Sequence, residues 1–236
     1  MWLNQQQITA SAIRAYRKTL LHSTPHHLVI DGLFDAEKLK EISSLLQQQP
    51  HWQTQQHSYS ALYVTPATWQ KTASAQRFVQ RDVWQRAAAD GPDHAAGQLL
   101  QFLQFLRGAE FMALLSRIFS VQLTDRNVAK PEVNTNYFRL GPADFVNQHA
   151  DDSPGREVCL LLYLTDNWQQ NHGGELVFAG QNQQPVPIAP LFNRCVLFDP
   201  SSEGSEHWVN AITTDPISSD ASRHYRLNVT SWYWSE

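Results

Sequence analysis

Three side chains in this sequence could share a metal ion. His149 and Asp151 are separated by a single residue within Asn147-Gln148-His149-Ala150-Asp151-Asp152. On an extended strand, residues two apart project from the same face, which would set an imidazole nitrogen beside a carboxylate oxygen. A third donor from a distant histidine would complete a two-histidine, one-carboxylate face, an arrangement that leaves positions on Fe(II) open for a chelating co-substrate and O2. His207, in Glu206-His207-Trp208, is the candidate; His172 and His224 are its rivals. Asp152 would face away from His149, into solvent or a turn.

With 10 histidines and 22 acidic residues in the chain, the His-x-Asp triplet alone says little, and its surroundings are more specific. Upstream stand Asn136-Tyr137-Phe138-Arg139-Leu140-Gly141 and Asp144-Phe145-Val146. Downstream come Arg156, the apolar run 158–164, Asp166-Asn167-Trp168 and His172-Gly173-Gly174-Glu175-Leu176, and the chain closes on Arg226-Leu227-Asn228-Val229-Thr230-Ser231-Trp232-Tyr233-Trp234. In this order the motifs resemble the 2-oxoglutarate and Fe(II)-dependent dioxygenases, in particular the prolyl 4-hydroxylase-like branch, over roughly the last hundred residues.

The resemblance implies a hydroxylase holding Fe(II) through His149, Asp151 and His207. It selects His207 as distal histidine because that residue follows Phe198-Asp199-Pro200 and precedes a strand. It further implies 2-oxoglutarate as co-substrate, O2, and ascorbate as an auxiliary. A carboxylate buried in such a site requires a cation, and Arg226 takes that place by its spacing to Trp232. Arg226 follows His207 by nineteen residues where the family has about ten, so an insertion is expected over 210–222, and Arg223 is the alternative cation. Tyr163 occupies the place of a tyrosine that holds the same carboxylate; it reads equally as an ordinary strand aromatic. Asp151 argues against halogenation, whose catalysts lack this carboxylate. The substrate class implied is a peptidyl, proline-like side chain, with a free amino acid or other small molecule as the alternative and a catalytically silent binding barrel as a third.

A site of this kind needs strands to carry it. From residue 121 onward short strand-like runs recur at 121–125, 132–140, 143–150, 157–165, 175–179, 194–199, 206–212 and 224–234, separated by Gly, Pro, Asn and Asp. They predict a mainly β, α+β fold with a double-stranded β-helix (jelly-roll) core. Before them, residues 5–21 and the segment capped by Asp35 have helical periodicity, with Phe34 and Leu39 placed for a hydrophobic staple and Pro50 ending the helix. Gln47 to His57 reads as a solvated glutamine-rich loop, 59–64 as a strand, and 66–93 is ambiguous. Apolar residues from 95 to 119 predict two helices divided at Gly108. The chain is read as one dioxygenase domain, 1–236, with helix-rich support over 1–120 and the jelly-roll catalytic core over 121–236.

Composition sets the class. The 236 residues are 42% hydrophobic and 11% aromatic, as in globular proteins, and the net charge of −4 carries no basic nucleic-acid footprint. No signal peptide and no membrane-spanning run is present, so a cytoplasmic protein without membrane or nucleic-acid partners is expected. Cys159 and Cys195 lie in apolar runs and are expected buried and reduced.

Overall fold

The computed structural model describes all residues except 87–93, 126, 127, 129, 130, 214–224 and 236. Its framework is one antiparallel sheet that curls on itself. Strands β1 (His27–Asp31), β9 (Arg194–Phe198), β6 (Arg156–Tyr163), β11 (Arg226–Trp234) and β4 (Thr135–Leu140) lie side by side, and β5 (Phe145–His149), β10 (His207–Val209), β7 (Leu176–Phe178) and β8 (Val186–Ile188) continue the sheet beyond β3 (Arg77–Trp84). The bridging strand pairs with β5 through Val79 and Gln80 and with β4 through Asp82 and Val83; β2 (Trp52–Ser58) adds to its other side.

Alternation along the central strands separates two interiors. On β6, Val158, Leu160 and Leu162 enter one cluster with Leu197, Val229 and Tyr233, while Cys159, Leu161 and Tyr163 enter another with Phe178, Ile188 and Phe198. The second lies inside the curl. The first is covered by α1 (Ala10–His22), α2 (Ala36–Gln48), α4 (His94–Leu106) and α5 (Ala109–Phe119), the expected N-terminal buttress, with α3 (Pro66–Lys71) beside β3 in the chain. Tyr137 and Tyr233 donate their hydroxyls to the carbonyls of Leu99 and Leu106 on α4, tying the sheet to a helix through groups that would otherwise be buried without partners. Both cysteines are buried and free.

Several local expectations hold. Asp35 caps α2, accepting from Lys38 N at 3.1 Å, and Gly108 stands between α4 and α5 as N-cap of the latter. Three need correction. Residues 52–58 form β2 rather than a solvated loop, and the strand expected over 59–64 is a turn region. Residues 121–125 are not a strand: Ser120 adopts the left-handed conformation, Val121 N bonds back to Ser116 O, and Thr124 N reaches Trp234 O. β8 was not anticipated. Among the described residues no helix is long and apolar enough to cross a membrane.

Candidate metal centre

β5 and β10 run antiparallel with His149 directly opposite His207, which brings the two ring centroids to 4.4 Å. Both rings are fixed in the same way. Nδ1 of His149 lies 2.9 Å from the carbonyl of Asn147, and Nδ1 of His207 lies 2.9 Å from that of Ser205. A carbonyl only accepts, so each Nδ1 carries the proton and each Nε2 keeps its lone pair for another partner. Asp151 falls two residues past the end of β5, not on the strand itself, with Oδ1 3.6 Å from His149 Nε2 and Oδ2 3.9 Å from His207 Nε2. The three donor atoms lie within 4.8 Å of one another and form the one such group among the described residues. His172 is elsewhere, packed on Trp168; Asp152 is exposed, and His224 lies outside the described residues.

The electrostatics suit a cation. Burial pushes the Asp151 carboxyl upward, but His207, His149, the Trp232 N–H and Arg156 outweigh it, and the group titrates below its ordinary range. Burial, with the neighbouring His149, takes His207 down to about 4. At neutral pH these are a carboxylate and a neutral imidazole, the forms that bind metals. Trp232 Nε1 donates to Asp151 Oδ2 at 2.8 Å, and Arg156 donates to the Asp151 backbone carbonyl. Removing such an orienting bond typically costs a metal site about 10- to 100-fold in affinity. Trp232→Phe is therefore expected to weaken Mn(II) binding about tenfold in isothermal titration; unchanged affinity would show that the carboxylate is oriented without the indole.

Beside this cluster opens a cavity of about 1010 Å³. Arg226, Asn228, Thr230 and Trp232 line it from alternate positions of β11, whereas Leu227, Val229 and Tyr233 face the helices. Arg226 is 1% exposed, and its Nη2 lies 3.2 Å from the Tyr163 hydroxyl, so the structure brings together the two residues singled out as carboxylate holders. Arg226 Nε and Asn228 Oδ1 are buried without a partner among the described residues. Among the described residues no carboxylate pairs with this guanidinium, and a cation buried so deep favours an anion beside it. Arg223 lies outside the described residues. Gly173 and Gly174 have φ of +69° and +73°, and a Cβ on Gly173 would stand 2.1 Å from Ala211 O, so the turn before β7 requires glycine there. Glu175 accepts from Asn210 Nδ2 at 3.2 Å, a structural bond.

Two cavity residues were not foreseen. His57 on β2 and Arg81 on β3 face inward with Gln55 and Val79, and their alternation was hidden by the polar composition of both strands.

Residues 135–234 match the profile of the 2OG-Fe(II) oxygenase superfamily. That stretch of the chain resembles the superfamily. A mouse relative, Prolyl 3-hydroxylase OGFOD1, is 25% identical over 138 residues, which are 56% of this chain and 23% of that protein's length. Among solved structures, a prolyl hydroxylase from Trichoplax adhaerens, in complex with a hypoxia inducible factor oxygen degradation domain peptide fragment, aligns with a TM-score of 0.64 at 18% identity, covering 98% of this chain and 94% of that one. A Pseudomonas putida prolyl-4-hydroxylase aligns at 0.57 and 15% identity, covering 95% and 99%. These two likenesses show the fold. The likeness to that superfamily implies Fe(II) and 2-oxoglutarate, and the residues present fit both: two Nε2 lone pairs and a carboxylate for the metal, and a buried arginine with no carboxylate paired to it among the described residues for the keto-acid.

Proposed function

We propose that this protein is a 2-oxoglutarate-dependent hydroxylase acting on a peptidyl, proline-like side chain. The observation that carries the reading is the convergence of His149 Nε2, His207 Nε2 and the Asp151 carboxylate beside a cavity in which Arg226 has no anionic partner among the described residues. His149, Asp151 and His207 would hold the iron on one face. Arg226, with the Tyr163 hydroxyl, would hold the distal carboxylate of 2-oxoglutarate and so fix the direction in which the keto-acid enters. When bound, iron and keto-acid supply O2 activation, with oxidative decarboxylation to succinate and CO2 driving hydroxylation of an unactivated C–H bond. The protein's own part is orientation and exclusion. Carbonyl-anchored imidazoles hold their lone pairs on the metal position, Trp232 holds the carboxylate, and the apolar cluster around Phe178 and Phe198 keeps water from behind His207.

A polypeptide substrate is favoured by the mouth of the cavity. Tyr59, Leu62, Tyr63 and Val133 line it and are each more than half exposed, at 53%, 63%, 70% and 53%, an apolar rim against which a peptide could lie. Tyr59 also bonds to Gln148 O at 2.8 Å, holding that rim to β5 next to His149. The testing experiment is a mass-spectrometric search for a 16-dalton gain in lysate proteins supplied with the enzyme, Fe(II) and 2-oxoglutarate. Products confined to samples containing both additions are expected; a gain on small metabolites with none on proteins would move the reading to the small-molecule alternative.

A further inference from the structure

The cavity wall carries, besides Arg226, a second cation that the proposed reaction leaves unused. Arg81 lies where β3 passes from β5 to β4, between the residue pairs Gln80–Phe145 and Asp82–Arg139. Its guanidinium carbon stands 3.6 Å from the centroid of the Phe138 ring, and its hydrogen bond among the described residues is from Nε to Gln55 Oε1 at 3.4 Å. No carboxylate among the described residues forms an ion pair with it. Arg139, on the neighbouring strand, illustrates the contrast, with Asp82 at 2.9 Å. Burial lowers Arg81 to about 10, the cost of a cation kept out of water that the Asp151 carboxylate offsets only in part.

Beside it, His57 is one step along the same face of β2 from Gln55, the cross-strand partner of Arg81. His57 is 7% exposed. Its Nδ1 accepts from Tyr63 N at 3.4 Å, so Nε2 carries the proton, and that N–H is buried at the cavity wall with no acceptor among the described residues. Both groups are donors: among the described residues Arg81 has only the Gln55 amide oxygen and no carboxylate, and His57 Nε2 has no acceptor.

Charge balance says what they await. In the loaded site the two positive charges of Fe(II) and the one on Arg226 are matched by Asp151 and the two carboxylates of 2-oxoglutarate. Arg156 is engaged with the Asp151 carbonyl and lies over Trp232 and Trp234. Arg81 stacks on Phe138 and feels the Asp151 carboxylate through space, a charge already matched by the iron, but among the described residues it has no carboxylate paired to it. We propose that Arg81 and His57 receive a carboxylate of the primary substrate, so that the C–H bond attacked belongs to a molecule bearing an acid group close to it. The inference rests on the hydroxylase reading and narrows its substrate class. The acid group is either the α-carboxylate of a free amino acid or a carboxylate within a peptide.

The test offers the iron-loaded enzyme and 2-oxoglutarate two pools, a mixture of the twenty free L-amino acids and a tryptic digest of cell lysate, each both native and after methyl esterification. Products 16 daltons heavier are read by mass spectrometry and succinate by NMR. Loss of one charge-assisted hydrogen bond corresponds to roughly tenfold or more, so esterification is expected to lower product yield by about that factor, and Arg81→Gln to do the same on the native pool. The pool that yields product identifies the source of the carboxylate. Equal yields from native and esterified pools overturn the proposal, as does succinate formation without product from either pool. It is also overturned if Arg81→Gln weakens 2-oxoglutarate binding as strongly as it lowers product yield, since Arg81 would then serve the co-substrate. The esterification arm uses the unaltered protein, so it decides the matter even if the variant does not fold. Absence of any iron-dependent succinate removes the hydroxylase reading itself, a result distinct from these.

Discussion

Asp151→Asn is expected to lower both Mn(II) affinity and iron-dependent succinate formation by more than about 100-fold, beyond the loss typical of a mere orienting group. The substitution is nearly isosteric, and its severity comes from Trp232. The indole N–H, 2.8 Å from Asp151 Oδ2, requires an oxygen there. Asparagine has one oxygen to give, so its amide NH2 takes the Oδ1 position and is turned toward His149 Nε2, where a metal needs a lone pair. The charge that helps draw a dication into a buried site is removed as well. Isothermal titration and NMR detection of succinate measure the two effects, and circular dichroism checks the fold. Turnover within about tenfold of the unaltered protein would show that this carboxylate is not a ligand.

The second large effect concerns Arg226 and has two opposed parts. Without 2-oxoglutarate, Arg226 is a guanidinium at 1% exposure that meets, among the described residues, the hydroxyl and ring of Tyr163. Replacing buried ionic groups by apolar side chains of similar size is often stabilising, by about 1–4 kcal/mol. Arg226→Met is therefore expected to raise the melting temperature of the ligand-free protein, by about 2–4 °C per kcal/mol for a chain of this size. The same change removes the cation for the distal carboxylate and should weaken 2-oxoglutarate binding about 100-fold, the scale of a strong charge-assisted contact. Added 2-oxoglutarate should then raise the melting temperature of the original protein and not that of the variant. If the variant binds 2-oxoglutarate as tightly as the original, the carboxylate is anchored elsewhere, with Arg223 and Arg81 as the residues to examine.

Much of this site could be read from the sequence because its key residues sit on strands with a clear pattern. His149 and His207 follow apolar or turn residues whose order is distinctive, and Arg226 opens a strand whose alternate residues are plainly apolar on the helix side. What was hidden has one physical cause. A strand lining a polar cavity has no apolar inner face, so Trp52–Ser58, with Gln55 and His57 inward and Thr54 and Gln56 bonded to Asp82 and Gln80 on the other side, has the composition of a loop. Arg81 and His57 were missed with it. β8 was concealed by Pro187, which an edge strand tolerates because one side of its backbone needs no partner. The opposite error, at 121–125, came from apolar alternation in a segment whose backbone bonds go to the end of α5 and the end of β11 instead of to a strand neighbour.

Both imidazoles take their orientation from main-chain carbonyls two residues upstream, those of Asn147 and Ser205. Every amino acid supplies that carbonyl, so the side chains at 147 and 205 can change without disturbing which ring nitrogen is protonated. Selection is thus free to retune the rim around the iron position, where Gln148 and Glu206 meet at 2.7 Å, without eroding the chemistry beneath it. Diversification of substrate choice and preservation of catalytic competence are, on these two strands, separable traits.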